Sequence, residues 1–411
     1  MSEVKLIPAI YLYNGKAVDK TTKEIVKDGD AVKIAASFDN NGADEILIFD
    51  ISSNDSEHEA NISTMIQIAD NVDIPMLVGG NVKRLEDVKK YIYTGAKKAI
   101  LCAEENLELL KEASDRFGKE NIALFIAGTD IDLDLNNISS YISLIISDGD
   151  IKTDVPVLKY DYDSKNDKEV DKYYGISSEN MNMKYDFMSE KYILKEQGVN
   201  VNVFESPMSF SEFKTNADGM IPVIVQDYKT EQVLMLAYMN EEAFSLTIKT
   251  GKMTYFSRSR NELWVKGETS GHYQYVKELS MDCDLDTMLA KVHQIGVPCH
   301  TGASTCFFNS LVKKEYDNTN PMKVFEDVFR VILDRKENPK EGSYTNYLFD
   351  KGIDKILKKV GEEATEIVIA AKNPDAQEVK YEISDFLYHV MVLMAEKEIS
   401  WKEITKELSR R

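Results

Sequence analysis

Trp264-Val265-Lys266-Gly267-Glu268-Thr269-Ser270-Gly271-His272, Asp282-Cys283-Asp284-Leu285-Asp286 and Cys299-His300-Thr301-Gly302-Ala303-Ser304-Thr305-Cys306 stand within 43 residues. The 43 residues hold three of the chain's four cysteines and three of its five histidines. Packing alone does not explain such a density of soft and hard ligands, so the stretch reads as a metal-dependent active site. The surrounding pattern predicts a small α+β domain with an antiparallel sheet. Strands are expected at 223–226, 233–236, 253–257, 263–266, 273–280 and 305–311, with a hairpin turn at 227–230. Residues 240–250 read as a helix with Asn240 as N-cap and Gly251 closing it. His293 falls in a helical pattern with Leu289 and Val292 and is expected to be structural.

Three thiolates with an open fourth position suit catalytic zinc. On an extended segment Asp282, Asp284 and Asp286 would project to one face and Cys283 to the other. One short run could then serve hard magnesium and soft zinc. The run lacks the glycine and distal glutamate of a calcium-binding EF-hand. Arg258, Arg260 and Lys266 are candidate phosphate partners, with surface solvation as the alternative. Together with Tyr255-Phe256-Ser257-Arg258-Ser259-Arg260, the three runs resemble phosphoribosyl-AMP cyclohydrolase over residues 216–312. The resemblance implies that zinc-activated water attacks C6 of an N1-ribosylated adenine and opens the N1–C6 bond, with His300 or His272 carrying the proton. It points to Arg258, Arg260, Trp264, Lys266, Gly267, Thr269, Ser270 and Gly271 as substrate-binding residues. It also implies a homodimer in which Cys283 meets Cys299 and Cys306 of the partner subunit. The family's arginine pair after Thr-Gly is here Ala303-Ser304, which weakens one expected substrate contact.

Downstream, residues 313–320 read as a polar linker and the rest as all α. Helices are expected at 321–335, from Ser343 to Gly352, at 353–372, from Pro374 to 397, and at 400–408. Glu362, Glu363 and Glu366 share one helix face, and Glu382 and Asp385 share another. Two such faces brought together would repel unless a cation such as magnesium sits between them. A solvated acidic face is the alternative. This pattern resembles the all-α nucleoside triphosphate pyrophosphohydrolases. Gly342-Ser343-Tyr344-Thr345 and Lys358-Lys359-Val360-Gly361-Glu362-Glu363-Ala364 sharpen the resemblance to phosphoribosyl-ATP pyrophosphatase over about residues 324–408. It implies magnesium on the triphosphate, Glu363 and Glu366 as catalytic residues, and Ser343, Tyr344, Lys358 and Lys359 on the substrate. His389 sits among apolar residues and is expected to pack.

Upstream, strand patterns at 4–11, 45–50, 74–78, 98–101 and 122–127 alternate with amphipathic stretches such as 30–40 and 85–94. That rhythm predicts a parallel α/β sheet. Further strands are expected at 141–147 and 155–160, then loop and irregular helix over 160–200. Leu6-Ile7-Pro8-Ala9-Ile10, Gly42-Ala43-Asp44-Glu45-Ile46 and Ile74-Pro75-Met76-Leu77-Val78-Gly79-Gly80-Asn81-Val82 resemble the first half of the phosphate-binding barrels of histidine biosynthesis, the imidazole glycerol phosphate synthase cyclase subunit and its isomerase relative. Gly79-Gly80 stand where that family approaches phosphate. Its first catalytic aspartate is here Tyr11, and its second is replaced by Gly128 or a neighbour. A partial or degenerate barrel without the ancestral activity is therefore expected. Asp50 at a strand end is left with either a ligand-binding or a structural role.

Length and composition fit this division. A chain of 411 residues, 43% hydrophobic and 29% charged, suits two or three globular domains. They are placed at 1–205, 206–312 and 322–411. A formal charge of −20 argues against non-specific nucleic-acid binding. No membrane-length apolar run or leader pattern is read, so a cytoplasmic setting with reduced cysteines is expected. The expectation is a bifunctional hydrolase of histidine biosynthesis using zinc and magnesium. The rivals are a general nucleoside triphosphate pyrophosphatase with a structural zinc domain and, for the N-terminal region, a docking module.

Overall fold

A computed structural model of the chain describes residues 3–102, 107–128, 135–163, 169–315, 320, 323–374 and 376–409. The chain divides into two compact units, residues 1–310 and 311–411.

In the first unit, the strands Ala9–Tyr13, Ile46–Asp50, Met76–Gly79, Lys98–Cys102, Ile122–Ile126, Leu144–Ser147, Val157–Lys159 and Gly175–Ile176 pair in parallel in that order. Lys5–Leu6, just upstream of Ala9, pairs in parallel with Gly175–Ile176. The sheet thus closes on itself as a β/α barrel. The degenerate reading holds in the helices rather than the strands. Among the described residues, the connections after Ile122–Ile126 and Val157–Lys159 carry only the one-turn helix Leu135–Ile138 and the 3-10 turn Val170–Lys172. Residues 160–200, expected as loop and irregular helix, hold the closing strand Gly175–Ile176 and the regular helix Phe187–Glu196.

Alternation along each strand sorts the side chains. Ile46 and Ile48 face the surrounding helices, while Leu47 joins Ile7, Leu77, Ile100 and Leu158 inside the barrel. Each such side chain, fully buried, contributes about 1.5–3 kcal/mol by leaving water.

A second core, from Phe210 to Val292, belongs to the small domain. Its sheet runs in the order Val233–Met239, Ile221–Asp227, Met288–Gln294, Gln274–Met281. The hairpin Thr254–Ser257/Glu262–Val265 stands beside it. Asn240 caps the helix Glu241–Thr250 by accepting from the Ala243 N–H, and Gly251 ends it at a φ of 68°. Two expectations are corrected. Residues around His293 form a central strand rather than a helix, with Met288, Ala290 and Val292 buried in alternation. Residues 305–311 form no strand. Instead the Cys306 N–H donates to the Leu234 carbonyl and the Thr305 hydroxyl to the Val233 carbonyl, which pins the segment against the sheet edge.

The barrel meets this sheet through the loops that lead into its strands. The Tyr228 hydroxyl donates to Asp73 at 2.7 Å, and Lys277 and Lys229 pair with the same carboxylate at 2.9 and 3.1 Å. His293 Nδ1 lies 2.9 Å from Asn40 Oδ1.

The second unit is all α, as expected. Its helices are Val324–Glu337, Tyr344–Lys351, Ile353–Ala370, Ala376–Glu396 and Trp401–Leu408, packed around Phe329, Ile332, Leu348, Ile356 and Val392. Residues 316–319 of the expected linker, the first two residues of the expected helix 321–335, and Asp375 lie outside the described residues. Among the described residues, no helix is long and apolar enough to cross a membrane.

Candidate active sites

Cys299 and Cys306 come together after the strand Met288–Gln294. Cys299 is buried and lies 3.1 Å from the Thr301 hydroxyl, and the Cys306 thiol is in hydrogen-bond contact with it. The Thr301 hydroxyl and N–H hold the Cys299 thiol below its ordinary range, while burial and the neighbouring Cys299 push Cys306 up. One thiol of the pair is thus prepared to be a thiolate, the form that binds metal. Among the described residues, Cys283 does not join these two in a set of three ligand atoms within 4.8 Å of one another. It is exposed in the turn between Gln274–Met281 and Met288–Gln294.

The carboxylates of Asp282, Asp284 and Asp286 do converge, with oxygens within 4.8 Å. The physical reason differs from the one expected. The run is a tight turn rather than an extended segment, with Leu285 at a φ of 64° and Asp282 accepting from the N–H groups of Asp286 and Thr287. Curling, not alternation, brings the acids together.

The expected substrate residues separate. Arg258 lies 3.9 Å over the Tyr238 ring and shares a groove with Tyr255 and Trp264. Arg260 is exposed and paired with Glu262 at 3.2 Å. Lys266 was expected as a phosphate partner. It is buried, and its ammonium donates to the Pro298 carbonyl at 2.7 Å, one residue before Cys299. Burial lowers its pKa, and the two thiols beside it act in the opposite sense. Gly267 is required by geometry: at a φ of 93°, a Cβ would stand 2.4 Å from the Tyr273 nitrogen. Thr269, Ser270 and Gly271 form the exposed turn that follows. The His272 ring packs on Gly296, and His300 is exposed.

In the helical unit, Glu363, Glu366 and Glu382 converge with oxygens within 4.8 Å. Glu363 is buried at 4% exposure. Glu362 and Asp385, expected as ligands, fall outside this trio among the described residues. Glu362 instead pairs with Lys359 at 3.3 Å, which holds its carboxyl below the usual range. Lys359 also stands 3.4 Å from Glu363, so it belongs to the acid cluster, while Lys358 is exposed. Ser343 is the N-cap of Tyr344–Lys351, with its side chain accepting from the Asn346 N–H. His389 was expected only to pack. It is buried, 3.6 Å from Glu363, and its Nδ1 lies 2.8 Å from the Asp385 carbonyl. A carbonyl only accepts, so Nδ1 carries a hydrogen, and Nε2 lies in hydrogen-bond contact with the Tyr344 hydroxyl at 3.0 Å. The partner is the main-chain carbonyl of Asp385, which any residue there would offer, so no side-chain spacing in the sequence marks the contact.

Among the described residues, the barrel interior is lined by apolar and aromatic side chains and holds no comparable acid cluster. Tyr11, where a catalytic aspartate was missed, stacks on Phe49 at 5.6 Å and is hydrogen-bonded to the Tyr160 hydroxyl. Phe125 closes the cluster edge-on. Gly128 has open space around it, and residues 129–134 lie outside the described residues. Asp50 is structural. It is 1% exposed and engaged by His58 at 2.5 Å, Asn61 at 2.7 Å and the Ser52 N–H at 2.8 Å. Gly80 is set by packing, since a Cβ there would meet the Asp50 carbonyl at 2.2 Å.

Two clusters of side chains able to hold a metal ion, on separate units, fit a bifunctional metal-dependent hydrolase. Residues 235–308 match the family of phosphoribosyl-AMP cyclohydrolase, residues 325–411 that of phosphoribosyl-ATP pyrophosphohydrolase, and residues 5–161 that of histidine biosynthesis protein. The chain is 51% identical over 209 residues to the histidine biosynthesis bifunctional protein HisIE of Thermoanaerobacter pseudethanolicus, covering 97% of that protein and 48% of this chain. It is 53% identical over 204 residues to that of Caldanaerobacter subterraneus, covering 98% of that protein and 50% of this chain. The Bacillus subtilis protein of the same name is 46% identical over 200 residues, covering 95% of that protein and 49% of this chain. The chain belongs to the HisIE family of bifunctional histidine biosynthesis proteins, with cyclohydrolase and pyrophosphohydrolase domains and a barrel domain added before them.

Proposed function

We propose that the chain hydrolyses phosphoribosyl-ATP to phosphoribosyl-AMP and pyrophosphate at the helical site, and then opens the adenine ring of the product between N1 and C6 at the thiol site. The observation that carries this is the pairing of two donor sets of different chemistry, carboxylates alone on one unit and thiols beside carboxylates on the other. The domains are taken as 206–312 for ring opening and 322–411 for pyrophosphate release, with 1–205 a non-catalytic docking module.

The donor sets fit the metals. Glu363, Glu366 and Glu382 offer hard oxygens suited to magnesium, as do Asp282, Asp284 and Asp286. Cys299 and Cys306 offer soft donors suited to zinc. When bound, these ions supply charge neutralisation and acidified water. The chain's own residues do the rest. Lys266 fixes the backbone before Cys299, Arg258 and Trp264 line the groove that takes the substrate, and Tyr344 is held in place by His389. His300 or His272 moves the proton. The separation of Cys283 from the other two thiols supports a homodimer in which the partner's cysteine completes the set. The cytoplasm is the setting that keeps such thiols reduced.

The test is incubation with phosphoribosyl-ATP and magnesium. Pyrophosphate and ring-opened product are both expected, and absence of both refutes the assignment. Equal turnover of ordinary nucleoside triphosphates would favour the general pyrophosphatase instead.

A further inference from the structure

Beside the aromatic cluster that fills the barrel axis, a cavity of about 500 Å³ remains open between the first, seventh and eighth barrel strands. That is the size of a small-molecule site, roughly 300–1,000 Å³. Its body is apolar, built from Val18, Ile34, Phe38 and Met181. Tyr11 and Tyr160 add their hydroxyls. One of these donates to the other, so the pair keeps one hydrogen and spare lone pairs for a guest.

The rim carries both signs of charge. Lys20 is shared by Asp161, at 3.1 Å, and Glu179, which leaves one negative charge in excess. Asp19 is engaged in its own turn by the N–H groups of Thr21 and Thr22. Lys27, by contrast, has the Met183 thioether at 3.1 Å as its partner, a weak acceptor for an ammonium. An anion fits beside Lys27 and a cation beside Asp161 and Glu179. Behind this exposed rim lies the buried apolar chamber, with phenols that hydrogen-bond a polar tip. These features together describe one kind of guest, a free amino acid whose side chain is flat and hydrogen-bonding.

The cavity also has a route to the ring-opening domain. Helix Ala31–Asn40 lines it with Ile34 and Phe38. The end of the same helix reaches the small domain, where Asp39 lies 3.8 Å from Lys277 and Asn40 bonds His293. His293 is on the strand that leads to Cys299.

We propose that this cavity is an effector site for a free amino acid with a planar, hydrogen-bonding side chain, and that its occupancy tunes the ring-opening step through helix Ala31–Asn40. L-histidine is the probe, a choice that rests on the family membership. The binding itself does not depend on either hydrolytic assignment.

The experiment is calorimetric titration of the full chain with L-histidine, followed by ring-opening assays with and without it. Saturable binding is expected, together with a change in ring-opening rate and unchanged pyrophosphate release. Lys27→Gln and Glu179→Gln, both at the exposed rim, are each expected to weaken binding about tenfold, as loss of one charge-assisted hydrogen bond does. Tyr11→Phe should erode the preference for histidine over leucine. Absence of binding by histidine and by every other proteinogenic amino acid at millimolar concentration overturns the proposal. So does binding that the rim substitutions leave unchanged, or occupation by inorganic phosphate in place of the amino acid. Binding with no effect on ring opening overturns the effector role. Failure of both hydrolytic assays with binding intact would count against the functional assignment alone.

Discussion

Lys266 stands next to Trp264 in a run that looks like a substrate loop, and only burial shows what its ammonium does. It holds the Pro298 carbonyl and lies beside two thiols, where a positive charge favours their ionised forms. Lys266→Met is expected to reduce ring opening by about 10–100-fold, the range found when a group supporting metal ligands is removed. Zinc content measured alongside should fall, and pyrophosphate release should not. Spacing made the cysteines legible, because soft ligands in a cluster have few other uses in a reducing compartment. Burial has no such mark in the sequence. The same gap hid His389, whose apolar neighbours suggested packing while its ring was holding Tyr344. Tyr344→Phe is expected to cost the pyrophosphatase several-fold, through KM more than kcat. Glu363→Gln should cost at least about 100-fold in kcat, since it removes a charge facing the metal. Steady-state kinetics on the two variants separates positioning from catalysis.

Among the elements, long helices and strands of the barrel's first half were legible because their apolar periods are clean. Met288–Gln294 was not, since Leu289 and Val292 also suit a helix, and one of the two strands that flank it, Ile221–Asp227, is distant in sequence. Gly175–Ile176 was invisible for another reason: two residues carry no period at all. Yet it closes the barrel. The loops between elements hold a testable charge. Burial opposes ionisation of Asp73, but the Tyr228 hydroxyl and the Lys277 ammonium outweigh it, so its carboxyl is held well below the usual range. A depressed folded pKa means that the stabilisation is fully present above the unfolded value of about 3.9 and is lost as pH falls through the folded one. Thermal unfolding of the wild type should therefore show an acid-sensitive component below about pH 4. Asp73→Asn should remove that component and lower the midpoint at neutral pH.

At the scale of the molecule, the relatives align with about half of this chain yet are themselves almost fully covered, for example 48% against 97%. The barrel is thus an addition to a protein whose two hydrolytic domains occur without it. The contact surface has a polar and an apolar part. On the small domain's sheet Tyr228, Lys229, Lys277 and His293 engage Asp73 and Asn40, side chains that water can also satisfy, while helix Phe187–Glu196 lies beside helix Glu241–Thr250 with Met188 and Phe204 against Gly251. The small domain's own core includes Phe210 and Phe213, packed on Phe244, so its apolar requirements begin after residue 205. Removing residues 1–205 should leave a folded protein with both activities within about threefold of the full chain, since the relatives carry the two hydrolytic domains without a barrel before them. The same truncation should abolish any response of ring opening to L-histidine. Product assays on the truncated chain check both points. Loss of both activities on truncation would mean that the barrel supports the catalytic domains rather than modulating one of them, and cyclase or isomerase activity in residues 1–205 would mean that Tyr11 had not ended the ancestral chemistry.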